Sequence, residues 1–120
     1  MKVIVAGSRD ITDVSVVAEA ITEGFVALNV TDPIIVSGHA KGVDTIGEVF
    51  AHHCSYPVKI FPANWEEHGK AAGPIRNREM AYYADAAIVI HNGSRGSLNM
   101  IQQMKKLNKP VYEKVIYGTE

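Results

Sequence analysis

The chain has 120 residues, 47% of them hydrophobic and 21% charged, and its net charge of −1 argues against a protein that coats nucleic acid or anionic membranes. This length predicts a single domain over residues 1–120, and the one cysteine excludes an internal disulfide framework and fits a reducing compartment. Because no apolar run could span a membrane and no signal-peptide pattern opens the chain, we expect a cytoplasmic protein with neither membrane nor nucleic acid as a partner.

Short apolar runs alternate along the chain with stretches whose apolar residues recur at helical spacing. In chain order, the predicted strands are 2–6, 34–36, 58–61, 86–90 and 111–115, and the predicted helices carry apolar faces at 14–28, 43–51, 75–84 and 98–107. Residues 62–74 lack clear periodicity and are long for a connection, which is typical of a functional or mobile loop. Strands that alternate with helices imply βαβ units, so we predict an α/β fold with a mostly parallel five-stranded sheet.

Glycine-containing turns follow three of the predicted strands, at the sheet edge where α/β proteins bind their ligands. These turns are residues 7–9, 37–44 and 91–97. The second turn leads from a β-branched run directly into a helix, and free backbone N–H groups at a helix start favour an anion. Neither it nor the third turn matches the G-x-G-x-x-G or P-loop pattern, which argues against a P-loop ATPase.

Arginine is concentrated around these turns. The chain has only four arginines, Arg9, Arg76, Arg78 and Arg95. All lie in loops or helix starts that would border a ligand pocket formed by these turns. Arginine is suited to bidentate contact with phosphate or carboxylate. The alternative is that Arg76 and Arg78 pair with neighbouring carboxylates on the surface. Trp65 could stack on a base or anchor its loop.

The spacing of acidic residues singles out no acid/base couple. The candidates are Asp10, Asp44, Glu66, Glu67 and Glu79. Asp44 could equally cap a helix or pair with Arg76, and Glu79 could bond a ribose or orient Arg76. Residues 52–54, two histidines and a cysteine, occupy adjacent helix positions that point in different directions, so no metal site is expected. His39 and His91, inside the turns, are read as ligand contacts or proton donors.

Four motifs resemble those of one protein family. Residues 37–44, SGHAKGVD, resemble the GGARGAD turn of the YspA/YpsA-related branch of the SLOG superfamily, and residues 7–10 look like its GSRD turn. Residues 65–80 resemble its W-x-x-x-G-x-x-A-G-P-x-R-N-x-x-M segment, and residues 93–97 its GGRGT turn. The superfamily includes the LOG phosphoribohydrolases and the Rossmann core of DprA. The resemblance implies a Rossmann-like three-layer sandwich, a nucleotide-derived ligand, and a homodimer or higher homo-oligomer.

The chain departs from the LOG hydrolases at one position that matters for chemistry. Their PGGxGTxxE motif ends in a catalytic glutamate, and Met100 stands at the corresponding place here. A thioether cannot serve as a general acid or base, which argues against the LOG mechanism unless Glu79, Asp44 or Asp10 substitutes for that glutamate. His39 replaces a glycine of the family turn and adds a side chain at the expected pocket floor.

We therefore predict binding of a phosphate- and ribose-containing nucleotide or nucleotide-derived small molecule at the carboxyl ends of the strands, by a sensor or sequestering protein. One alternative is a nucleotide N-glycosidase or phosphohydrolase related to the LOG enzymes, and a weaker one is single-stranded nucleic-acid binding. No cofactor and no metal are expected. The predicted ligand-binding residues are Gly7, Ser8, Arg9, Ser37, Gly38, His39, Lys41, Gly42, Asp44, Arg76, Asn77, Glu79, Gly93, Ser94, Arg95, Gly96 and Ser97.

Overall fold

A computed structural model describes residues 1–117. Its strands are β1 (Lys2–Gly7), β2 (Ile34–Ser37), β3 (Val58–Ile60), β4 (Ala86–His91) and β5 (Val111–Val115). Its helices are α1 (Val14–Ala27), α2 (Val43–His53), α3 (Trp65–His68), α4 (Ala72–Tyr83) and α5 (Arg95–Lys106), with one 3₁₀ turn at Gly69–Ala71. All five predicted strands and all four predicted helices are present, most within a few residues of the expected ends.

The five strands form one sheet in the order β3-β2-β1-β4-β5, and every pair is parallel. Strand β1 lies at the centre, where Val3 is in register with Ile35 of β2 and with Ala86 of β4. All six residues of β4 are buried, as its uninterrupted apolar run predicts for a strand covered on both faces. The strand order reverses between β1 and β4, and this is where such sheets bind ligands.

Helices cover both faces of the sheet. The apolar sides of α1 and α2 pack with Val5, Ile35 and Ile88 on one face, whereas α4 and α5 pack with Ile4 and Val89 on the other. The three central strands, β2, β1 and β4, thus contribute alternate residues to two separate cores, and the product is a three-layer sandwich. Two helix starts are set by local chemistry: Asp13 caps α1 by accepting from the Val16 N–H at 3.2 Å, and Asn64 caps α3 by accepting from the Glu67 N–H at 3.0 Å.

Residues 62–74 are more ordered than the expected loop. They contain α3, the 3₁₀ turn and the start of α4, which begins at Ala72 rather than at Ile75. Pro74 is the third residue of α4, where a backbone N–H has no partner within the helix, so the proline costs no hydrogen bond there. Residues 64–71 are all exposed, and short exposed turns leave little apolar periodicity in the sequence. No helix within residues 1–117 is long and apolar enough to cross a membrane.

Candidate functional site

An open cleft of about 640 Å³ lies beyond the carboxyl ends of β1 and β4, beside the start of α4. Six segments contribute to it: the end of β1 with its following loop, the loop after β4, the β2–α2 turn with the start of α2, residues 65–70, and the starts of α4 and α5. The lining residues are Ala6, Gly7, Arg9, Asp10, Ala40, Asp44, Trp65, Lys70, Gly73, Pro74, Arg76, Asn77, Asn92, Ser94, Arg95, Gly96, Ser97, Asn99 and Met100. The cleft is therefore at the switch in strand order.

Three of the four arginines line the cleft, and none of the four forms an ion pair with a carboxylate within residues 1–117. Arg76 is held by its own bonds: Nη1 donates to the Gly38 carbonyl at 2.7 Å and Nε donates to Asn77 Oδ1 at 3.0 Å. Burial lowers the pKa of Arg76 against the opposing effect of the Asp44 carboxylate, and the nearby positive charge of Arg9 lowers it further. Arg76 and Arg78 thus do not pair with surface carboxylates within residues 1–117, contrary to the alternative raised from the sequence. The cleft therefore carries excess positive charge.

The N-terminus of α5 opens into the same cleft without a side-chain cap. Ser94 stands at the N-cap position, but its side chain accepts no bond from the helix backbone. Ser94, Arg95, Gly96 and Ser97 all line the cleft, and a Cβ added at Gly96 would meet no atom within 4 Å. The first N–H groups of a helix have no partner within the helix, and the helix dipole places partial positive charge there. This turn has the features of an anion site.

Hydroxyl groups hold this turn against β1. Ser8 is buried and its Oγ accepts from the Asn92 backbone N–H at 3.1 Å, while Ser8 Oγ and Ser94 Oγ lie 2.8 Å apart. Ser94 Oγ lies 2.7 Å from Ser97 Oγ. From the other side, Asn77 Nδ2 donates to the Gly96 carbonyl at 3.1 Å. The α5 turn is therefore fixed by β1 and by α4, as a preorganised site requires.

Asp44 is the buried carboxylate of the cleft. It is the second residue of α2, only 4% exposed, and it accepts from the Gly7 N–H at 3.2 Å and from the Ala40 N–H at 3.4 Å. Burial raises the pKa of Asp44 to about 6, against the opposing effects of those bonds and of the Arg76 charge. Asp44 thus joins β1 to the β2–α2 turn, and its raised pKa of about 6 places its titration in the weakly acidic range.

In the β2–α2 turn, expected to be the anion site, three backbone N–H groups are bonded within the protein, although α2 also begins without a side-chain cap. The His39 N–H donates to Ser37 Oγ, and the Val43 N–H donates to the Ser8 carbonyl. The Ala40 N–H donates to the Asp44 carboxylate. Ser37 and His39 also bond Glu48, with Ser37 Oγ at 2.6 Å and His39 Nδ1 at 2.9 Å from Glu48 Oε2. His39 does not form the cleft floor, and the left-handed turn directs its ring to α2. A Cβ on Gly42, at φ +75°, would lie 2.5 Å from two carbonyl oxygens of the β1–α1 loop, so this glycine serves close packing.

The structure brings just over half of the predicted site residues to the cleft. Those outside its lining are Ser8, Ser37, Gly38, His39, Lys41, Gly42, Glu79 and Gly93. Of the catalytic candidates, Asp44 and Asp10 line the cleft, whereas Glu79 is exposed on α4 outside it. Buried His91 is likewise a support rather than a ligand contact, since its Nδ1 accepts from the Gly93 N–H at 2.9 Å and its Nε2 lies 2.7 Å from Glu113 Oε2. Met100 lines the cleft where the LOG enzymes have glutamate.

Several residues that line the cleft are not among the predicted ligand-binding residues. Asp10 and Asn92 meet across the cleft mouth, where Asn92 Nδ2 donates to Asp10 Oδ1 at 2.8 Å. Trp65 is half exposed, and the guanidinium of Arg9 lies 5.9 Å from the centre of its ring. Asn99 accepts from Asn77 Nδ2 at 3.1 Å. The signal that could have found Asp10 and Asn92 is their position within the two turns that follow β1 and β4.

Within residues 1–117, no group of three metal-ligating side chains could hold a metal ion.

Comparison with known proteins identifies the fold and the family. The YspA, cpYpsA-related SLOG family matches residues 1–68, more than half of the chain. The Gene 61 protein of Mycobacterium phage D29 is 29% identical over 117 residues, which cover 92% of this chain and 93% of that protein. Its name assigns no activity.

Two solved structures of DNA processing protein A (DprA) have the same fold. The protein from Streptococcus pneumoniae superposes with a TM-score of 0.75 at 22% identity, over 98% of this chain and 50% of that one. The protein from Helicobacter pylori, described by its single-stranded DNA binding mode, gives a TM-score of 0.66 at 20% identity, over 94% and 64% of the two chains. The chain thus spans about half to two thirds of these proteins, and the likeness confirms the Rossmann-like fold.

The comparison corrects one expectation. Net charge was taken to argue against nucleic acid as a partner, but a protein that binds single-stranded DNA is built on this fold. The inference was wrong because net charge averages the whole surface, whereas a bound strand contacts one groove.

Proposed function

This chain belongs to the YspA, cpYpsA-related SLOG family, and from that premise we propose that it binds a nucleotide or nucleotide-derived small molecule, as a sensor or sequestering protein. The phosphate lies at the N-terminus of α5, and the remainder of the ligand extends through the cleft toward Trp65.

One observation carries this proposal: three arginines that form no ion pair with a carboxylate within residues 1–117 line the same cleft as a helix start without a side-chain cap. Hydrogen bonds from charged donors contribute about 1.5–3 kcal/mol each when well aligned, and a helix N-terminus adds up to about 1 kcal/mol for an anion. Arg95, the first residue of α5, is exposed and free to turn toward a phosphate on its own helix terminus.

The size of the cleft favours a ligand larger than inorganic phosphate. Its volume of about 640 Å³ lies within the usual range for small-molecule sites, which is roughly 300–1,000 Å³. Trp65 borders it with half of its surface exposed, so its indole ring is free to stack on a base. A phosphate group alone would leave most of this lining in water.

The test is calorimetric titration of nucleoside 5′-monophosphates, nucleoside diphosphates and ADP-ribose into the wild-type protein and the variants Arg95→Ala and Arg78→Ala. Arg78 is the matched control, because it is an exposed arginine on α4 that faces Tyr82 at 5.7 Å and does not line the cleft. We expect Arg95→Ala to weaken binding by about 10-fold or more, as the loss of one charge-assisted bond predicts, and Arg78→Ala to leave it unchanged. Equal effects of the two variants, or no binding at all, would contradict the proposal.

A second candidate is single-stranded DNA binding, and the likeness to the H. pylori DprA structure favours it. The cleft mouth combines an exposed aromatic ring with cationic groups, Arg9 and Lys70, and such surfaces bind single strands by base stacking and phosphate contacts. Stacking contributes about 1–3 kcal/mol for each base, so Trp65 would account for much of the affinity.

Fluorescence anisotropy with a labelled oligothymidylate, measured at several salt concentrations, tests this candidate. Binding that weakens steeply with salt and drops about 10-fold in Trp65→Ala would support it. Trp65→Phe is the matched control, because it keeps a stacking ring. Affinity that is unaffected by Trp65→Ala would exclude this surface as the DNA site.

A further inference from the structure

We infer that Asp10 recognises the ribose hydroxyls of the nucleotide and makes the cleft selective for ribonucleotides over deoxyribonucleotides. This inference rests on the proposed nucleotide binding and goes further, since it assigns the sugar end of the ligand. It follows from the pairing of Asp10 with Asn92 beside the α5 turn.

Two carboxylates, Asp44 and Asp10, line the cleft, and they differ in whether an oxygen remains available to accept a hydrogen bond from a ligand. Asp44 is buried, and each of its oxygens already accepts a backbone N–H, from Gly7 and from Ala40. Asp10 is exposed, and only its Oδ1 is bonded, to the Asn92 side-chain amide at 2.8 Å. Within residues 1–117 its Oδ2 has no hydrogen-bond or ion-pair partner. Asp10 is thus the carboxylate available to a ligand.

The Asp10 carboxylate is fixed relative to the proposed phosphate position. Asn92 holds it through the side-chain bond, and the Asn92 backbone N–H donates to Ser8 Oγ, which in turn bonds Ser94 at the N-cap of α5. Asn92 and Ser94 are two residues apart, so at most about 7 Å of chain separates them. One nucleotide, whose 5′-phosphate and hydroxyls are carried by the same ribose ring, can therefore reach both groups.

The chemistry of an ionised carboxylate decides which part of the ligand lies there. It accepts hydrogen bonds and donates none, and it repels phosphate. The other charged side chains of the lining, apart from Asp44, are Arg9, Lys70, Arg76 and Arg95. Phosphate is accordingly drawn to the cations, and the group that suits Asp10 is a hydroxyl donor. The vicinal 2′- and 3′-hydroxyls of ribose supply two such donors.

The inference is tested by titrating wild-type protein with ribonucleoside 5′-monophosphates and with their 2′-deoxy and 2′,3′-dideoxy counterparts. We expect the dideoxy compounds to bind about 10- to 100-fold more weakly than the ribose compounds, since bonds to a charged acceptor are lost. The key variant is Asp10→Asn. Its amide oxygen keeps the bond from Asn92, and its NH₂ group then faces the ribose as a donor where an acceptor is needed.

Asp10→Asn should therefore reduce the difference between ribose and dideoxy compounds to about twofold or less. It should also improve binding of nucleoside 3′,5′-bisphosphates, because the repelling charge is gone. Asp32→Asn is the matched control: it makes the same substitution at an exposed loop aspartate outside the cleft and should leave the sugar preference intact.

Equal affinity for the three sugar types in the wild-type protein, or a sugar preference that survives Asp10→Asn, would overturn the inference while leaving nucleotide binding in place. If no nucleotide binds at all, the proposed function fails and this inference fails with it. Because Asp10 is exposed, the variant should fold normally, and circular dichroism checks this before titration.

Discussion

The buried carboxylate of Asp44 should make the stability of the protein fall as the pH rises through the weakly acidic range. Its pKa is raised from the ordinary value of 3.8 to about 6, chiefly by burial. Between these two values the folded protein keeps a proton that the unfolded chain has lost. Since the folded state then binds more protons, the free energy of unfolding decreases with increasing pH, and the loss is complete above about pH 7.

The size of the effect follows from the pKa difference. One unit corresponds to 1.36 kcal/mol, so a rise from 3.8 to about 6 corresponds to about 3 kcal/mol of stability, present below pH 4 and absent at neutral pH. Arg76 makes this loss of stability smaller than burial alone would, because its positive charge favours the ionised form of Asp44.

The assay is urea unfolding at pH values from 4 to 7.5 for the wild-type protein and for Asp44→Asn, whose side chain cannot ionise. Between pH 4 and pH 7 the wild-type protein should lose about 2 kcal/mol more than the variant, because part of the effect lies below pH 4. Asp32→Asn, which removes an exposed carboxylate, should follow the wild-type curve. Parallel curves for the wild-type protein and Asp44→Asn would refute the reasoning. If Asp44→Asn does not fold, NMR titration of the wild-type carboxyl carbon measures the same pKa directly.

Three further substitutions test how two turns near the cleft and the end of α4 contribute to stability, and urea unfolding at pH 7 measures each of them. Gly42→Ala should cost roughly 1–3 kcal/mol or more, because φ is +75° and a Cβ would press on two carbonyl oxygens at 2.5 Å; a cost near zero would show that the loop relaxes freely. Lys109→Met should cost about 1–3 kcal/mol, because Nζ donates to three carbonyls at the end of α4 at 2.7–3.0 Å, and an unchanged midpoint would mean that water replaces it. His91→Phe should cost about 1–3 kcal/mol by leaving the Gly93 N–H without its acceptor, and a neutral result would remove His91 as a support of the β4–α5 turn.

Much of the fold followed from periodicity. The buried run of β4 and the amphipathic patterns of α1, α2 and α5 report burial directly, and burial is decided mainly by apolar side chains. The start of α4 was missed because residues 69–77 mix glycine, proline and polar side chains, and the helix there is held by contacts with α5 rather than by its own propensity. Asn77 shows this: it is buried and bonds Gly96 and Asn99, and its spacing in the sequence gives no sign of those contacts.

The location of the cleft could be predicted from the sequence, whereas the contacts of its individual residues could not. The topology rule placed it beyond β1, β2 and β4, and the cleft indeed lies beyond β1 and β4. Glycine-rich sequence could not reveal which turn keeps free N–H groups, because that depends on whether a nearby side chain takes them. In the β2–α2 turn Ser37 accepts the His39 N–H and Asp44 accepts the Ala40 N–H, whereas at α5 the Ser94 hydroxyl is bonded to Ser8 and Ser97 instead. The single-domain span, the cytoplasmic location and the homo-oligomer remain predictions.

The difference between the net charge of the chain and the local charge of the cleft explains two results. It is why net charge was a poor guide to nucleic-acid binding, and it is why the cleft suits an anion. A net charge of −1 results from 12 basic and 13 acidic residues spread over the whole chain. The cleft holds four basic side chains against Asp10 and Asp44, and Asp44 is only partly ionised near pH 6 because its pKa is raised. Since screening limits the reach of a charge to about 8–10 Å, a phosphate in the cleft responds to these groups rather than to the total. Whether that phosphate belongs to a free nucleotide or to a strand is decided by what lies beside it, which makes Asp10 and Trp65 the informative substitutions.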